Sequence, residues 1–338
     1  MSPTDVEDAA QADGGTAEIP LAEVSAEEVT FSDRAENWLG EKWETFLVAW
    51  EDWRFRAGFL TLLFFLFVGT FGVFFVEKPE MTVNAWVRPF KSWDHILGTN
   101  NKGRDIFAAL VESTPQMLRM TLGGAIFATA LATIIGITSG YKAGLVDEIL
   151  MTITDIVMML PGLPLLIVIT SIFTPRHPIV VGILVSLQAW AGWARNLRAE
   201  VLKLREMSYV EASRVMGVPT WKILRRDVLP QLLPLILIGF MGAARGIIYG
   251  AVGLYFLGVL PYTSLNWGVL LQLSFESGAA TTPRIFHTIL WPLLTIVLFS
   301  WSLIMISQGL DRVVNVRIRA DESGGATATA TASEGESE

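Results

Sequence analysis

The chain has 338 residues, of which 52% are hydrophobic and 17% charged, with a formal net charge of −8 and no cysteine. That balance excludes a soluble domain of ordinary composition, and the missing thiols exclude disulfides, thiolate chemistry and Cys-based zinc sites. His95, His177 and His287 are the only histidines and lie far apart in sequence, so no metal site and no cofactor are expected.

Residues 1–33 are rich in Asp, Glu, Ala and Gly and are predicted to form a disordered acidic tail, whose charge needs no explanation beyond solvation. Residues 34–57 are predicted to form an interfacial amphipathic helix. Leu39, Trp43, Phe46, Leu47, Trp50 and Trp53 recur there at helical spacing, and tryptophans at 38, 43, 50 and 53 suit the headgroup layer. A helix packed on another protein is the alternative.

Six apolar runs follow, each read as a helix crossing a hydrocarbon core of about 30 Å. They lie near Gly58 to Val76, Met120 to Tyr141, Ile149 to Phe173, Ile179 to Ala194, Leu232 to Gly258 and Phe286 to Ser307, the fourth being short. The expected fold is therefore an all-α membrane protein with a six-helix transmembrane domain over 58–308. The first run is too long and too far from the N-terminus for a signal-peptide core, and is expected to stay in the mature protein. Basic residues concentrate at Arg34 to Arg56, Arg195 to Arg226 and Arg312 to Arg319, which puts both termini in the cytoplasm. The segment from Glu77 to Leu118 dilutes that bias, since it carries Lys78, Arg88, Lys91, Lys102 and Arg104 on the outer side.

Within the spans, Gly124, Ala128, Ala132, Gly136 and Gly140 form a small-residue strip at i+4 spacing, and Gly242, Gly246 and Gly250 repeat the pattern in the fifth run. Both strips predict close helix contact, either inside the subunit or at a moving interface. Pro161 and Pro164 remove backbone donors from the third run and are expected to bend it, as a cavity-lining helix or as a kink without function. Asp155 and Arg245 are costly in hydrocarbon and need partners; they are candidates for the translocation pathway, pairing with each other or, for Arg245, meeting a substrate carboxylate.

Between the fourth and fifth runs lies a polar hairpin, 195–230. Ser208 and Glu211 have the spacing of a capping box, Gly217 can supply a left-handed helix stop, Pro219 prevents continuation, and Thr220 is placed to cap a second helix entering Leu229-Pro230. Val210, Ala212, Ser213, Val215 and Met216 are expected to offer small or apolar surface, surrounded by Arg195, Arg198, Lys203, Arg205, Arg214, Lys222, Arg225 and Arg226. Such a knob suits a groove on a partner; a solvated loop whose cations obey the positive-inside rule is the alternative. After Gly309 the chain is read as a cytoplasmic tail over 309–338, disordered from about 320.

Glu211-Ala212-Ser213, Gly217 and Leu229-Pro230 resemble the EAA signature of permease subunits of ABC importers. Leu97-Gly98-Thr99-Asn100-Asn101-Lys102-Gly103-Arg104-Asp105, the run from Trp193 through Glu206 to Tyr209, and Phe256-Leu257-Gly258 with Trp267-Gly268 resemble the oligopeptide, dipeptide and nickel permease family over roughly Trp38 to Arg319. Ile96, Asn100, Ser213 and Ala251 depart from it. The resemblance implies the type I importer permease fold, a transport subunit rather than an enzyme, and alternating access driven by ATP. It implies as partners a second permease in a heterodimer, two ATP-binding subunits, an extracellular substrate-binding protein and membrane lipid, with no nucleic acid. It also implies that Glu206, Tyr209, Glu211, Ala212, Ser213, Gly217, Leu229 and Pro230 dock the ATPase. Short peptides are the implied cargo, with nickel chelates and oligosaccharides as alternatives. No Gly-Lys dipeptide occurs, so the chain offers no phosphate-cradling loop of its own. The rival classes lack their marks: several intramembrane carboxylates for a secondary transporter, a nucleophile–base pair for an intramembrane enzyme. A non-transporting scaffold is separated from a permease by whether an ATPase co-purifies.

Overall fold

The computed structural model describes residues 47–77, 85–262 and 264–335, with side chains up to Arg312 in the last helix. The chain divides into 1–46 and 47–338, and everything described belongs to the second unit. The acidic segment 1–33, together with Trp38 and Trp43, lies outside the described residues.

Residues 47–51 are helical and stop at Asp52, whose carboxylate accepts the Arg54 N–H at 2.8 Å and starts α1, Trp53–Phe67. Of the interfacial helix expected over 34–57, residues 34–46 lie outside the described residues; in the described part the helix breaks at Asp52, and Trp53 to Ala57 belong to the first span. A carboxylate at this position satisfies a donor that has no partner inside the helix, which is why the chain restarts there. The helix continues through a π-helical turn at Val68–Gly72 and a last turn at Val73–Phe75.

Helix α2, Ile106–Lys142, begins well before the expected Met120 because Asp105 caps it, accepting the Ala108 N–H at 2.8 Å. At about 1.5 Å per residue it exceeds the hydrocarbon thickness, so the turns carrying Glu112 and Arg119 can lie at or beyond the membrane edge. The segment ahead of it folds back on itself. The Thr99 N–H donates to the Val87 carbonyl at 3.1 Å, the Trp86 N–H to the Asn100 carbonyl at 3.2 Å, and Asn100 Oδ1 accepts from the Lys102 and Arg104 N–H groups. Gly98 sits at φ +83, where any Cβ would collide with the Val87 carbonyl. The Gly-Thr-Asn and Gly-Arg-Asp pieces are therefore turn and cap chemistry.

The third and fourth apolar runs are each two helices. Helices α3, Gly144–Met159, and α4, Gly162–Phe173, meet at 87°, and α5, Pro178–Val185, and α6, Ala189–Leu204, meet at 57°. Among the described residues four other helices are long and apolar enough to cross a membrane, giving six spans when each bent pair counts as one. Pro161 makes the first break, as the residue preceding α4. Pro164 does not bend anything: it falls in the first turn of α4, where a missing N–H costs no helical hydrogen bond.

Beyond α6 come α7, Ser208–Val215, then α8, Thr220–Ile223, a π-helical turn at Leu224–Val228, and α9, Leu229–Phe256. From Thr220 to Phe256 these form one 37-residue line. Helix α10, Trp267–Glu276, was not expected; Asn266 caps it, accepting the Val269 N–H at 3.0 Å. The last helix, α11, spans His287–Gly335, so its backbone remains helical past about 320, where composition places a disordered tail.

Two apolar clusters hold the bundle. One centres on Phe65, Trp267 and Phe299, edge-to-face at 5.0 to 5.6 Å, joining α1, α10 and α11. The other runs through Leu197, Val201, Val210, Ile223, Val228 and Leu232 and places α7 against the C-terminal end of α6 and the N-terminal end of α9. Gly58 lets α1 lie on α11, where a Cβ would come within 2.7 Å of the Ser302 carbonyl oxygen.

Candidate functional site

The hairpin is built from a chain that turns at each point where the sequence removes a helical option. After α6 the Arg205, Glu206 and Met207 N–H groups bond to Val201, Lys203 and Leu204, closing the helix in tightening turns. Met207 is extended and α7 starts at Ser208. The capping box is not formed: Met207 is the residue before the helix, no side chain caps it, and the Glu211 N–H donates to the Met207 carbonyl. Ser208 is one position too late for that role, because the turn out of α6 already fixes where the next helix begins.

The stop at the other end follows the sequence. Gly217 adopts φ +75, its N–H donates to the Arg214 carbonyl at 3.0 Å, and the Val218 N–H reaches the Ser213 carbonyl at 3.1 Å. This paired arrangement satisfies carbonyls that the end of α7 would leave bare, and only glycine enters that conformation without strain. Pro219, rather than Thr220, precedes α8, and its carbonyl receives the Lys222 and Ile223 N–H groups. Pro230 offers no N–H and stands two residues past the end of the π-helical turn, so the irregularity between α8 and α9 falls where the helix lacks a donor.

Two side-chain bonds close the hairpin: Ser213 donates to Asp227 at 3.4 Å, and Gln231 donates to the Tyr209 hydroxyl at 2.7 Å. The hydroxyl at Ser213, where the family signature carries alanine, therefore ties the first arm to the second. Burial raises the Tyr209 phenol above its ordinary range, so it stays protonated and neutral beside Gln231. Val210, expected at the surface, is fully buried with Ile223 and Val228 and anchors the knob. What the knob presents is Val215, 82% exposed, Met216, 72% exposed, Ala212 and Trp221. Trp221 escaped the sequence reading, although an aromatic residue among Lys222, Arg225 and Arg226 was the available signal. Glu206 and Glu211 are exposed, and Leu229 and Pro230 are half-buried at the start of α9.

Beside the knob lies a cleft of about 660 Å3 lined by Tyr141, Lys142, Arg205, Glu206, Glu211 and Arg214, among others. Arg214 stands 5.8 Å from the centre of the Tyr141 ring. Behind it, Arg198 grips both oxygens of Asp147, which also accepts from Ser139, so the end of α2, the start of α3 and the middle of α6 are tied at one point. Arg198 and Arg195 were expected to decorate the knob and instead serve the bundle, and Lys203 pairs with Glu200 at 3.0 Å.

The pathway candidates separate. Asp155 pairs with Arg195 on α6, not with Arg245, because the break at Pro161 leaves α3 alongside α6. Among the described residues no ion pair is formed by Arg245, which is half-buried on α9. It shares that helix with Gly242 and Gly246, where a Cβ would meet nothing within 4 Å, so the fifth-span strip is not the tight contact its spacing predicts. Gly250 does pack, against Val185, and Gly239 lies against the Trp193 ring. On α2 the expectation holds: a Cβ at Gly136 or Gly140 would stand 2.6 or 2.8 Å from the carbonyl oxygens of Ala194 and Arg198, and one at Gly124 would collide with Gly182.

The profile of the binding-protein-dependent transport system inner membrane component family matches residues 132–320. The chain is 29% identical over 263 residues to the oligopeptide transport system permease protein OppC of Lactococcus lactis subsp. cremoris, covering 75% of this chain and 86% of that one. It is 31% identical over 222 residues to the dipeptide transport system permease protein DppC of Bacillus subtilis, covering 63% of this chain and 67% of that one. Among solved structures, the inward-facing MetNI methionine ABC transporter matches 62% of this chain and 95% of its own at 19% identity, with a TM-score of 0.47.

Proposed function

The chain belongs to the binding-protein-dependent transport system inner membrane component family, and on that premise we propose that it forms half of the translocation pathway of an ATP-driven importer of di- or oligopeptides. It is a multi-pass membrane protein and a transport subunit of the ABC importer class. In the proposed assembly it pairs with a second permease, receives peptide from an extracellular binding protein, and is worked by two ATP-binding subunits on the side of the hairpin. Both termini then lie in the cytoplasm.

The hairpin is the observation that carries this reading. An apolar tip of Val215, Met216 and Trp221 is left exposed on a base that is buried, glycine-closed and cross-tied. Exposed apolar side chains on a rigid, charged mount suit a protein groove better than water. Because α8 continues through the π-helical turn into α9 as one helical run, force on the knob is delivered to the fifth span rather than absorbed by a loop. Moving such an element from 1:99 to 99:1 between two states takes about 5.5 kcal/mol of differential binding, which the ATPase contact has to supply. Within the bundle, α9 with Arg245 and the open Gly242–Gly246 face is the part we assign to the pathway or to the second permease.

The test is reconstitution of the four-subunit assembly with its binding protein in vesicles, with uptake of a labelled tripeptide, a nickel chelate and an oligosaccharide compared. ATP-dependent uptake of the tripeptide alone is the expected outcome. ATP-dependent uptake of the chelate or oligosaccharide in its place would overturn the cargo, and uptake without nucleotide would overturn the mechanism.

A further inference from the structure

A second cleft, of about 540 Å3, opens between α1, α2, α9 and α11, at the end of the bundle away from the hairpin. Its walls are apolar: Leu62 and Leu66 from α1, Leu118 from α2, Phe240 from α9 and Phe299 from α11. The α1 side faces outward on the single chain, since Leu63, Phe64, Phe67 and Phe71 on the same helix are exposed. Among the described residues Arg119 is the only charged one in its lining, and no carboxylate accompanies it there. Thr121, 5% exposed, also lines the cleft, and its hydroxyl has no hydrogen-bond partner.

The position of Arg119 fixes the depth. It precedes Lys142, the hairpin-side end of α2, by about 34 Å along the helix axis, which is roughly one hydrocarbon thickness. The guanidinium therefore stands at the headgroup level of the leaflet opposite the hairpin, while the apolar walls run from there toward the middle of the membrane. A cleft of this size, with mostly apolar walls and one or two polar groups, has the usual make-up of a small-molecule site. A cation with no counterion among the described residues, set at headgroup depth above an apolar slot, is complementary to a phosphate carrying an acyl chain.

We propose that this cleft binds one phospholipid with an anionic headgroup from the leaflet opposite the hairpin, its phosphate on Arg119 and one acyl chain between α1 and the rest of the bundle. The bound chain fills the gap between α1 and its neighbours and so holds the first span in place. The proposal does not depend on what the protein transports.

The experiment uses the assembled transporter purified in mild detergent with phosphatidylglycerol carrying a photoreactive group in one acyl chain. In the wild type, labelling on Leu62, Leu66 or Leu118 is expected, together with retention of phosphatidylglycerol through washing. Arg119→Gln is expected to weaken that retention about tenfold, the loss of one charge-assisted contact, while Arg56→Gln at the opposite end of α1 leaves it unchanged. Labelling scattered over the exposed face of α1, equal retention in both variants, displacement of the label by peptide substrate, or blockage of the cleft by the second permease would each overturn the proposal. Wild-type labelling gives a result even if the Arg119 variant does not assemble.

Discussion

Gly124, Gly136 and Gly140 on α2 each meet the backbone of α5 or α6 where a side chain would begin, whereas Gly242 and Gly246 on α9 meet nothing at all. The two helices carry the same small-residue spacing, and in one it is a completed contact while in the other it is a vacant face. Spacing alone thus reports that a helix can be approached closely; it does not report by what. The filled strip makes α2 the fixed post of the subunit, cross-tied to α3 and α6 through Ser139, Asp147 and Arg198. The vacant strip belongs to the helix that continues without a break from the hairpin, which is where a moving interface would be placed.

Substitutions that fill each strip should separate these roles most sharply. Gly136→Leu is expected to prevent accumulation of folded protein, since its Cβ would stand 2.6 Å from the Ala194 carbonyl and overpacking against backbone costs about 3 kcal/mol or more. Gly246→Leu should leave the subunit folded in detergent by thermal unfolding, while uptake by the assembled transporter falls at least tenfold. Equal melting losses for the two would erase the distinction between post and moving face.

Asp147→Asn comes next. It leaves Arg198 without its counterion, and because that arginine keeps 30% of its exposure the loss should be about 2 kcal/mol, below the cost of breaking a fully buried pair. Val210→Ala should cost about 1–3 kcal/mol in the same unfolding assay, since it empties a fully buried site under the knob, whereas Met216→Ser should leave stability within about 0.5 kcal/mol and reduce ATPase retention.

The smallest effect is a titration at the hairpin-side ends of α1 and α11. The Arg54 N–H and the Arg312 guanidinium, at 3.2 Å, hold the Asp52 carboxyl below its ordinary range against the opposing effect of burial. A depressed folded-state pKa stabilises the native form above the unfolded value, and that contribution is lost as pH falls from about 4 downward. Asp52→Asn keeps a helix-capping oxygen and removes the ion pair. It should flatten the acid side of the stability profile while changing stability at pH 7 by less than about 1 kcal/mol, since Arg312 is largely exposed.

Much of this was legible in the residues. Runs of apolar side chains gave the spans, Gly217 gave the hairpin stop, and Pro161 gave the break in the third run. The misses share a cause, which is that local signals were read without the neighbouring turn. Ser208 has the right spacing for a capping box but stands one position too late, because the closing turns of α6 make Met207 the residue that precedes α7. Asp105 and Asn266 are ordinary helix caps, yet Glu112 and Arg119 masked the first three turns of α2, and Trp267–Glu276 is too short to register as a span. The pairing of Asp155 depends on the 87° bend between α3 and α4, which the presence of a proline announces but does not orient.

Since the chain contains no cysteine, one introduced thiol labels one place. Met216→Cys in the assembled transporter, treated with a short bifunctional thiol reagent, puts the claim that the hairpin tip transmits the ATPase's work to its most direct trial, with Phe90→Cys at the opposite end of the bundle as the comparison. The account predicts that Met216→Cys is joined to the ATP-binding subunit, more strongly in one nucleotide state than in another, and that Phe90→Cys is not. Failure of Met216→Cys to capture that subunit in any nucleotide state, or capture from Phe90→Cys in its place, would contradict it.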